Sequence, residues 1–178
     1  MRGKIIVRGG QRARGGARVS QAGPVARVRE ATPKDARLIH EYVRKLADFE
    51  LLLDRVESTE ESLRRDIFER KIVRALVVEA VDSDGESEPA GFALWYLTYS
   101  SFAGKPILYL EDLYVDPEYR RLGFARAVIE RLKETARAED CARIEWAVLD
   151  WNERALSFYA SLGASAREGW TNYRLELD

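Results

Sequence analysis

Residues 107–125, ILYLEDLYVDPEYRRLGFA, constrain the fold more than any other part of the chain. The apolar, β-branched and aromatic run reads as a strand, and Asp116-Pro117 ends it. Gly123 then lies in a basic loop that opens an apolar-periodic segment, which marks a helix start. Such a helix start can receive a phosphorylated group, because its first amides lack partners and together carry about half a positive charge. The strand itself bears two adjacent carboxylates, Glu111 and Asp112, the first candidates for chemistry. On a regular strand neighbouring side chains point to opposite faces, so Asp112 is expected to turn away from Glu111 unless a bulge intervenes.

At 178 residues the chain suits one domain with its own core. With 29 Lys and Arg against 30 Asp and Glu it has no overall electrostatic bias toward nucleic acid or a membrane. One cysteine, Cys141, excludes an internal disulfide, and one histidine, His40, leaves no Cys/His set for a metal. Both fit a cytoplasmic protein, and no apolar run reaches the length of a membrane span or signal core. Residues 1–24 hold Arg2, Lys4, Arg8, Arg12, Arg14 and Arg18 with no acid, and read as a basic, flexible extension ahead of a domain at 25–178. The extension lacks the interleaved aromatics of a nucleic-acid arm and is poor in the Ser and Thr of a transit peptide. Residues 5–7 could add a short strand.

The domain opens with an alternating strand at 25–29, then Thr32-Pro33-Lys34-Asp35 caps a helix to about Asp48. Its inner stripe is Ala36, Ile39, Val43, Leu46 and Ala47, with His40 and Glu41 beside it; His40 reads as a surface or satisfied core residue. After an apolar loop at 49–56, a second capped helix carries LRRDIF. RALVVEAV and AGFALWYLTY form a hairpin around the acidic turn at 82–89, and a turn at 100–106 adds the opening strand as a meander. A helix at about 120–138 follows, with Leu122, Ala125, Ile129, Leu132 and Ala136 on its apolar face. RIEWAVL is the next strand, and the strand-helix-strand unit makes it parallel and adjacent to the opening one. Asn152 caps a helix that ends at Gly163, and residues 170–177 alternate as a last strand.

Arg120-Arg121-Leu122-Gly123-Phe124-Ala125 fits the Arg/Gln-x-x-Gly-x-Gly/Ala motif of the GNAT acetyltransferases, placed as in that superfamily between the fourth strand and the third helix. LADFE, GFALWYLTYSSFAGK, LYLEDLYVDPEYR, WNERALSFYASLGA and EGW also occur in the order and spacing of its spermidine/spermine, or diamine, N-acetyltransferase branch. The chain resembles that branch from about Val28 to Leu177. The resemblance implies an α/β GNAT fold, with a mixed, mostly antiparallel sheet of about six to seven strands, a central splay, and about four flanking helices. It also implies acetyl-coenzyme A bound in that splay, the pantetheine held by backbone near Leu113 and Val115, and the pyrophosphate wrapped by Arg120, Arg121, Gly123, Phe124 and Ala125. Asn152, a helix cap by its spacing, becomes a cofactor contact as well. Many relatives have glycine where this chain has Arg121 and Ala125.

Acetyl transfer to an amine needs a neutral nucleophile. An alkyl ammonium with a pKa near 10.4 is neutral in only about one molecule in 2,500 at pH 7, a cost of roughly 4 to 5 kcal/mol. By the resemblance Glu111 removes that proton through a water, and Tyr159 protonates the leaving thiolate. Backbone N–H near Leu113 would stabilise the developing oxyanion, worth about 3 to 4 kcal/mol when preorganised. Taken alone, Glu111 and Asp112 would be sheet-edge carboxylates and Tyr159 a helix aromatic. For the acceptor, Phe49, Glu50, Asp112 and Trp170 form the walls of an amine pocket, together with Ser100 and Phe102. The polyamine enzymes have an acid where this chain has Ser100, so a lysine-like or thialysine-like amino acid or short diamine is expected ahead of spermine. The branch also implies a homodimer. Other readings are a protein or peptide amine acetyltransferase, a non-catalytic acyl-coenzyme A sensor, and a nucleic-acid protein acting through the basic extension.

Overall fold

The computed structural model describes residues 23–169 and 171–177, and in it five strands form one sheet in sequence order. Strands β1 (Val25–Glu30), β2 (Arg74–Val81), β3 (Ser87–Ser100) and β4 (Lys105–Val115) pair antiparallel, and β5 (Ile144–Trp146) joins β4 in parallel. The β-branched alternation of the first two strands and the turn around Gly85 (φ 85°) explain the meander. Helices α1 (Ala36–Phe49) and α2 (Glu60–Arg64), the latter running into a π-helical turn at Arg65–Glu69, cover one sheet face. Helix α3 (Phe124–Ala138) covers the other, and α4 (Glu153–Ala160) packs at its edge. This is the expected mixed, mostly antiparallel sheet with four helices, but with five strands among the described residues.

Two differences have local causes. Residues 171–177 are not a strand, and Tyr173, Leu175 and Leu177 of that alternating segment are exposed. RIEWAVL pairs only through Ile144–Trp146 because β5 leaves β4 after three residues. All but the last two residues of the basic extension, and the short strand anticipated at 5–7, lie outside the described residues.

Two cores result. On the α3 side Trp95, Leu108, Leu110, Phe124, Val128 and Leu132 are buried together. The helix starts at Phe124, not near Arg120, so Phe124 fills the inner position and Leu122 stays in the loop, half exposed. On the α1 side Ile39, Tyr42, Ile67, Phe92, Leu94 and Tyr114 pack together, with Tyr42 stacked on Phe92 at 5.7 Å. Tyr42 was absent from the expected stripe, where Val43 was placed; Val43 is only partly buried. Arg29 joins the sheet to α1: it donates to both Asp35 oxygens at 2.8 and 2.9 Å and to Glu79 at 2.7 Å. These hydrogen bonds hold Asp35 down at about 2. Its stabilisation is complete above the ordinary Asp value of about 3.9 and is lost as pH falls toward 2.

Gly91 is required by the close approach of β3 to β4. A Cβ there would meet the Tyr114 carbonyl oxygen at 2.2 Å and Val115 Cα at 3.0 Å, both backbone atoms. Gly91→Ala is expected to destabilise the domain by at least about 2 kcal/mol. Urea unfolding checks this as a lower midpoint at unchanged slope.

Candidate active site

β3 and β4 pair Leu94 with Asp112 and Trp95 with Leu110, so Glu111 is an extra residue on β4. This bulge shifts the alternation by one. Leu108 and Leu110 before it, and Leu113 and Val115 after it, all meet the α3-side core, while Tyr114 meets the α1-side core. Asp112 therefore turns to the α1 side. Glu111 is there too, accepting the Tyr96 hydroxyl at 3.2 Å. The regular-strand expectation for Asp112 is thus corrected: both carboxylates share one face. Regular pairing would have sent Asp112 toward the apolar α3-side core, where an unpaired charge is costly.

Electrostatics follow from that placement. Glu111 is exposed, whereas Asp112 is partly buried and takes no hydrogen bond or ion pair from the described residues. Burial, then the charges of Glu111 and Glu50, pushes Asp112 up to about 7. Burial also raises Glu50, just beyond α1. Burial and then Glu111 raise the Tyr96 phenol to about 12, so it stays protonated and remains a donor. The rings of Tyr96 and Tyr109, a cross-strand pair, lie 5.3 Å apart, tilted by 37°.

The same bulge marks where the sheet opens. β4 and β5 share only the pairs Leu108–Ile144, Tyr109–Glu145 and Leu110–Trp146. From Glu111 to Val115 the outer edge of β4 has no strand partner among the described residues. Tyr159 of α4 packs on Trp146 at 4.7 Å, at the end of β5 and beside this opening. Burial pushes its phenol up to about 12.

Beyond the opening the chain is clamped. Buried Asp116 accepts from the Tyr42 hydroxyl at 3.0 Å and Lys45 Nζ at 2.7 Å, tying the end of β4 to α1. Arg120 donates to the Val115 carbonyl at 2.9 Å and lies over the Phe49 and Tyr114 rings, at 5.3 and 5.5 Å. Phe49 in turn meets Trp151 at 5.9 Å. The guanidinium of Arg120 therefore braces the loop. Arg121 and Gly123 both take left-handed backbone, φ 64° and 91°, and α3 then starts with no capping side chain and no acid in its first turn. Its first amides are left to an anion, and a phosphorylated cofactor fits this helix start.

The sequence matches the model of the acetyltransferase (GNAT) family over residues 40–164. The chain belongs to the GNAT family of acetyltransferases. It is 40% identical to the thialysine N-epsilon-acetyltransferase of Mus musculus over 157 residues, 84% of this chain and 92% of that protein. It is 34% identical to spermidine/spermine N(1)-acetyltransferase-like protein 1 of Homo sapiens over 157 residues, 85% of this chain but 22% of that longer protein. A crystal structure described as a probable acetyltransferase superposes with a TM-score of 0.69 at 27% identity, covering 85% of this chain and 98% of that one.

Within this GNAT domain Glu50, Glu111 and Asp112 come together, and Leu113 and Val115 lie on the free edge of β4. The Phe49 ring lies against the guanidinium of Arg120. The Phe124 side chain is buried in the core, and Ala125 follows it in the first turn of α3. Asn152 caps α4, accepting from the Ala155 amide at 3.1 Å. Ser100 and Phe102 are not brought to the carboxylates within one chain: they lie at the β3–β4 turn, about 20 Å up β4 from Glu111 by the rise of a strand. Ser100 Oγ there accepts from Ala103 N–H at 3.1 Å, and Phe102 is 96% exposed. Trp170 lies outside the described residues. Sequence reasoning missed Tyr96, Tyr109, Tyr42 and Asp116; the alternation shared by Tyr96 with Leu94 was the available signal for the first.

Gly123→Ala places a side chain on left-handed backbone and is expected to cost about 1 kcal/mol of stability and about tenfold in coenzyme A affinity. Arg121→Gly relieves the same conformation, so binding is expected to stay within about threefold of the unchanged protein if the amides, and not this side chain, receive the phosphate. Isothermal titration with coenzyme A measures the two affinities, and urea unfolding measures the stability of Gly123→Ala.

Proposed function

We propose that this protein transfers an acetyl group from acetyl-coenzyme A to a small primary amine: a diamine, a polyamine, or a lysine- or thialysine-like amino acid. The observation that carries the reading is the Glu111–Asp112 pair, turned by the bulge onto one face where β4 parts from β5. The thialysine and spermidine/spermine enzymes among its relatives support the same acceptor class. The resemblance to the diamine branch supports a cytoplasmic homodimer acting on a small molecule.

Bound acetyl-coenzyme A supplies the acetyl group as a thioester. The amides from Arg121 to Ala125 hold its pyrophosphate, and the free edge of β4 at Leu113 and Val115 lines its pantetheine arm. The carboxylate pair takes the proton of the acceptor ammonium, with Glu111 acting through water. Tyr159, at the end of β5, gives a proton to the departing sulfur. A phenol at about 12 is a weaker acid than a free thiol near 8.5, but the burial that raises Tyr159 also raises a thiol beside it. The gap between them is therefore smaller than those two values imply.

A panel of amines assayed for thiol release tests the acceptor class. Short diamines and thialysine are expected to exceed spermine in kcat/KM, and a tenfold advantage for spermine overturns the assignment. Tyr159→Phe is expected to lower kcat by roughly 100-fold or more with acetyl-coenzyme A affinity nearly intact. An unchanged rate removes Tyr159 as the acid.

A further inference from the structure

A side chain that gives up a proton must be held in place, and the Tyr159 hydroxyl has no hydrogen-bond partner among the described residues. Nor is its helix deeply seated. α4 buries no residue fully, and it meets the α3-side core through Phe158, Tyr159 and, just beyond the helix, Leu162. Contact with the ring must therefore fix the phenol. Two aromatic neighbours supply it: Trp146 at 4.7 Å, tilted by 42°, and Phe158 at 5.2 Å, tilted by 52°. Such tilted pairs are favoured by the charge distribution of the rings. Phe158 precedes Tyr159 on the same helix and moves with it, so of the two it is Trp146 that refers the phenol to the sheet.

Trp146 is the last paired residue of β5, opposite Leu110, and the next residue of β4 is the surplus Glu111. Its backbone is thus pinned on the closed side of the opening, while its indole touches the ring beside that opening. We infer that Trp146 is a positioning residue for acetyl transfer: fixed by the last pair of β5, its indole holds the Tyr159 ring so that the phenol meets the departing sulfur. This rests on reading Tyr159 as the acid of an amine acetyltransferase.

The phenol so placed serves one proton transfer. As the carbon–sulfur bond breaks, its electron pair leaves on sulfur, and the Tyr159 O–H proton passes to that sulfur. The proton shed by the newly acylated nitrogen, carried by water, restores the phenol. Starting from the neutral amine, the products are the acetamide and the free thiol. Proton transfer needs the two heavy atoms within about 2.6 to 3.2 Å, and a misplacement of about 1 Å can cost about 100-fold in rate. Trp146 also borders an open groove with Ile129, Ala136 and Leu162. A smaller residue there leaves no sealed void, so the contact can be removed without emptying the core.

The experiment compares the unchanged protein with Trp146→Leu, Trp146→Phe, Tyr159→Phe and the double variant Trp146→Leu/Tyr159→Phe. It records kcat with diaminobutane, coenzyme A affinity by isothermal titration, and the Tyr159 side-chain rotamer from NMR coupling constants, its signal being identified by its loss in Tyr159→Phe. Trp146→Leu is expected to lower kcat by about 30-fold with coenzyme A affinity within about threefold. Trp146→Phe keeps a ring against the phenol and should stay within about threefold in both. The double variant should be no slower than Tyr159→Phe alone, because Trp146 acts through the phenol. Tyr159 should hold one rotamer in the unchanged protein and in Trp146→Phe, and average over several in Trp146→Leu. Should Trp146→Leu not fold, Trp146→Met, whose flexible chain fills more of the space, carries the same test. The inference is overturned if the two losses multiply in the double variant, if Trp146→Phe is as slow as Trp146→Leu, or if Trp146→Leu keeps a single Tyr159 rotamer. If the unchanged protein releases no thiol with any amine, the proposed function fails; the rotamer measurement then still decides whether Trp146 fixes the Tyr159 ring.

Discussion

The site depends on one surplus residue. With Glu111 inserted against β3, β4 changes the faces of all residues that follow it, and the consequences are electrostatic as well as geometric. Asp112 leaves the apolar side of the sheet and joins Glu111 and Glu50 on the other. Leu113 and Val115 remain on the α3-side core, so the strand keeps its anchorage through the irregularity. The parallel pairing with β5 ends at the same point, which leaves β4, among the described residues, with a backbone edge open next to its two carboxylates.

An open edge in the middle of a sheet needs support from elsewhere, and here it comes from α1. Tyr42 and Lys45 converge on buried Asp116 immediately after β4, and Arg120 closes back on the Val115 carbonyl under the ring of Phe49. The loop that starts α3 is therefore fixed before the helix begins. That fixing allows Arg121 to occupy left-handed backbone, which an arginine in a free loop would leave. Two arginines adjacent in sequence thus have separate tasks, one bracing the loop and one following its turn.

Much of this was legible in the sequence because local signals and tertiary packing agree. The β-branched run of β2, Thr32-Pro33 ahead of α1, Asn152 ahead of α4, and the strand-helix-strand unit ending in β5 all fold as their patterns dictate. What escaped depends on pairing between distant segments. The bulge is a count of residues on β4 against β3, and neither strand records it alone. Tyr42 is buried because Phe92 and Asp116 await it on other elements, whereas the helical stripe by itself favoured Val43. The start of α3 was placed too early because the basic residues before Gly123 look helical by composition, yet Arg120 is extended and Arg121 left-handed. In the candidate site, the motif residues were identified by resemblance, but the tyrosines beside Glu111 belong to no motif and emerge only from the β3–β4 register.

The acidic face also explains why the domain invests its other charges as it does. Glu79 and Asp35 are compensated by Arg27 and Arg29, and Asp116 by Lys45. Asp112 has no such cation among the described residues, and its raised affinity for a proton means that the folded state is disfavoured as pH climbs from the ordinary carboxylate range to about 7. Any cation entering the face relieves that cost. Self-repulsion among these carboxylates and attraction for a cation are then the same interaction. A neutral asparagine at Asp112 would weaken both together, which ties the stability of the fold to the charge of this face.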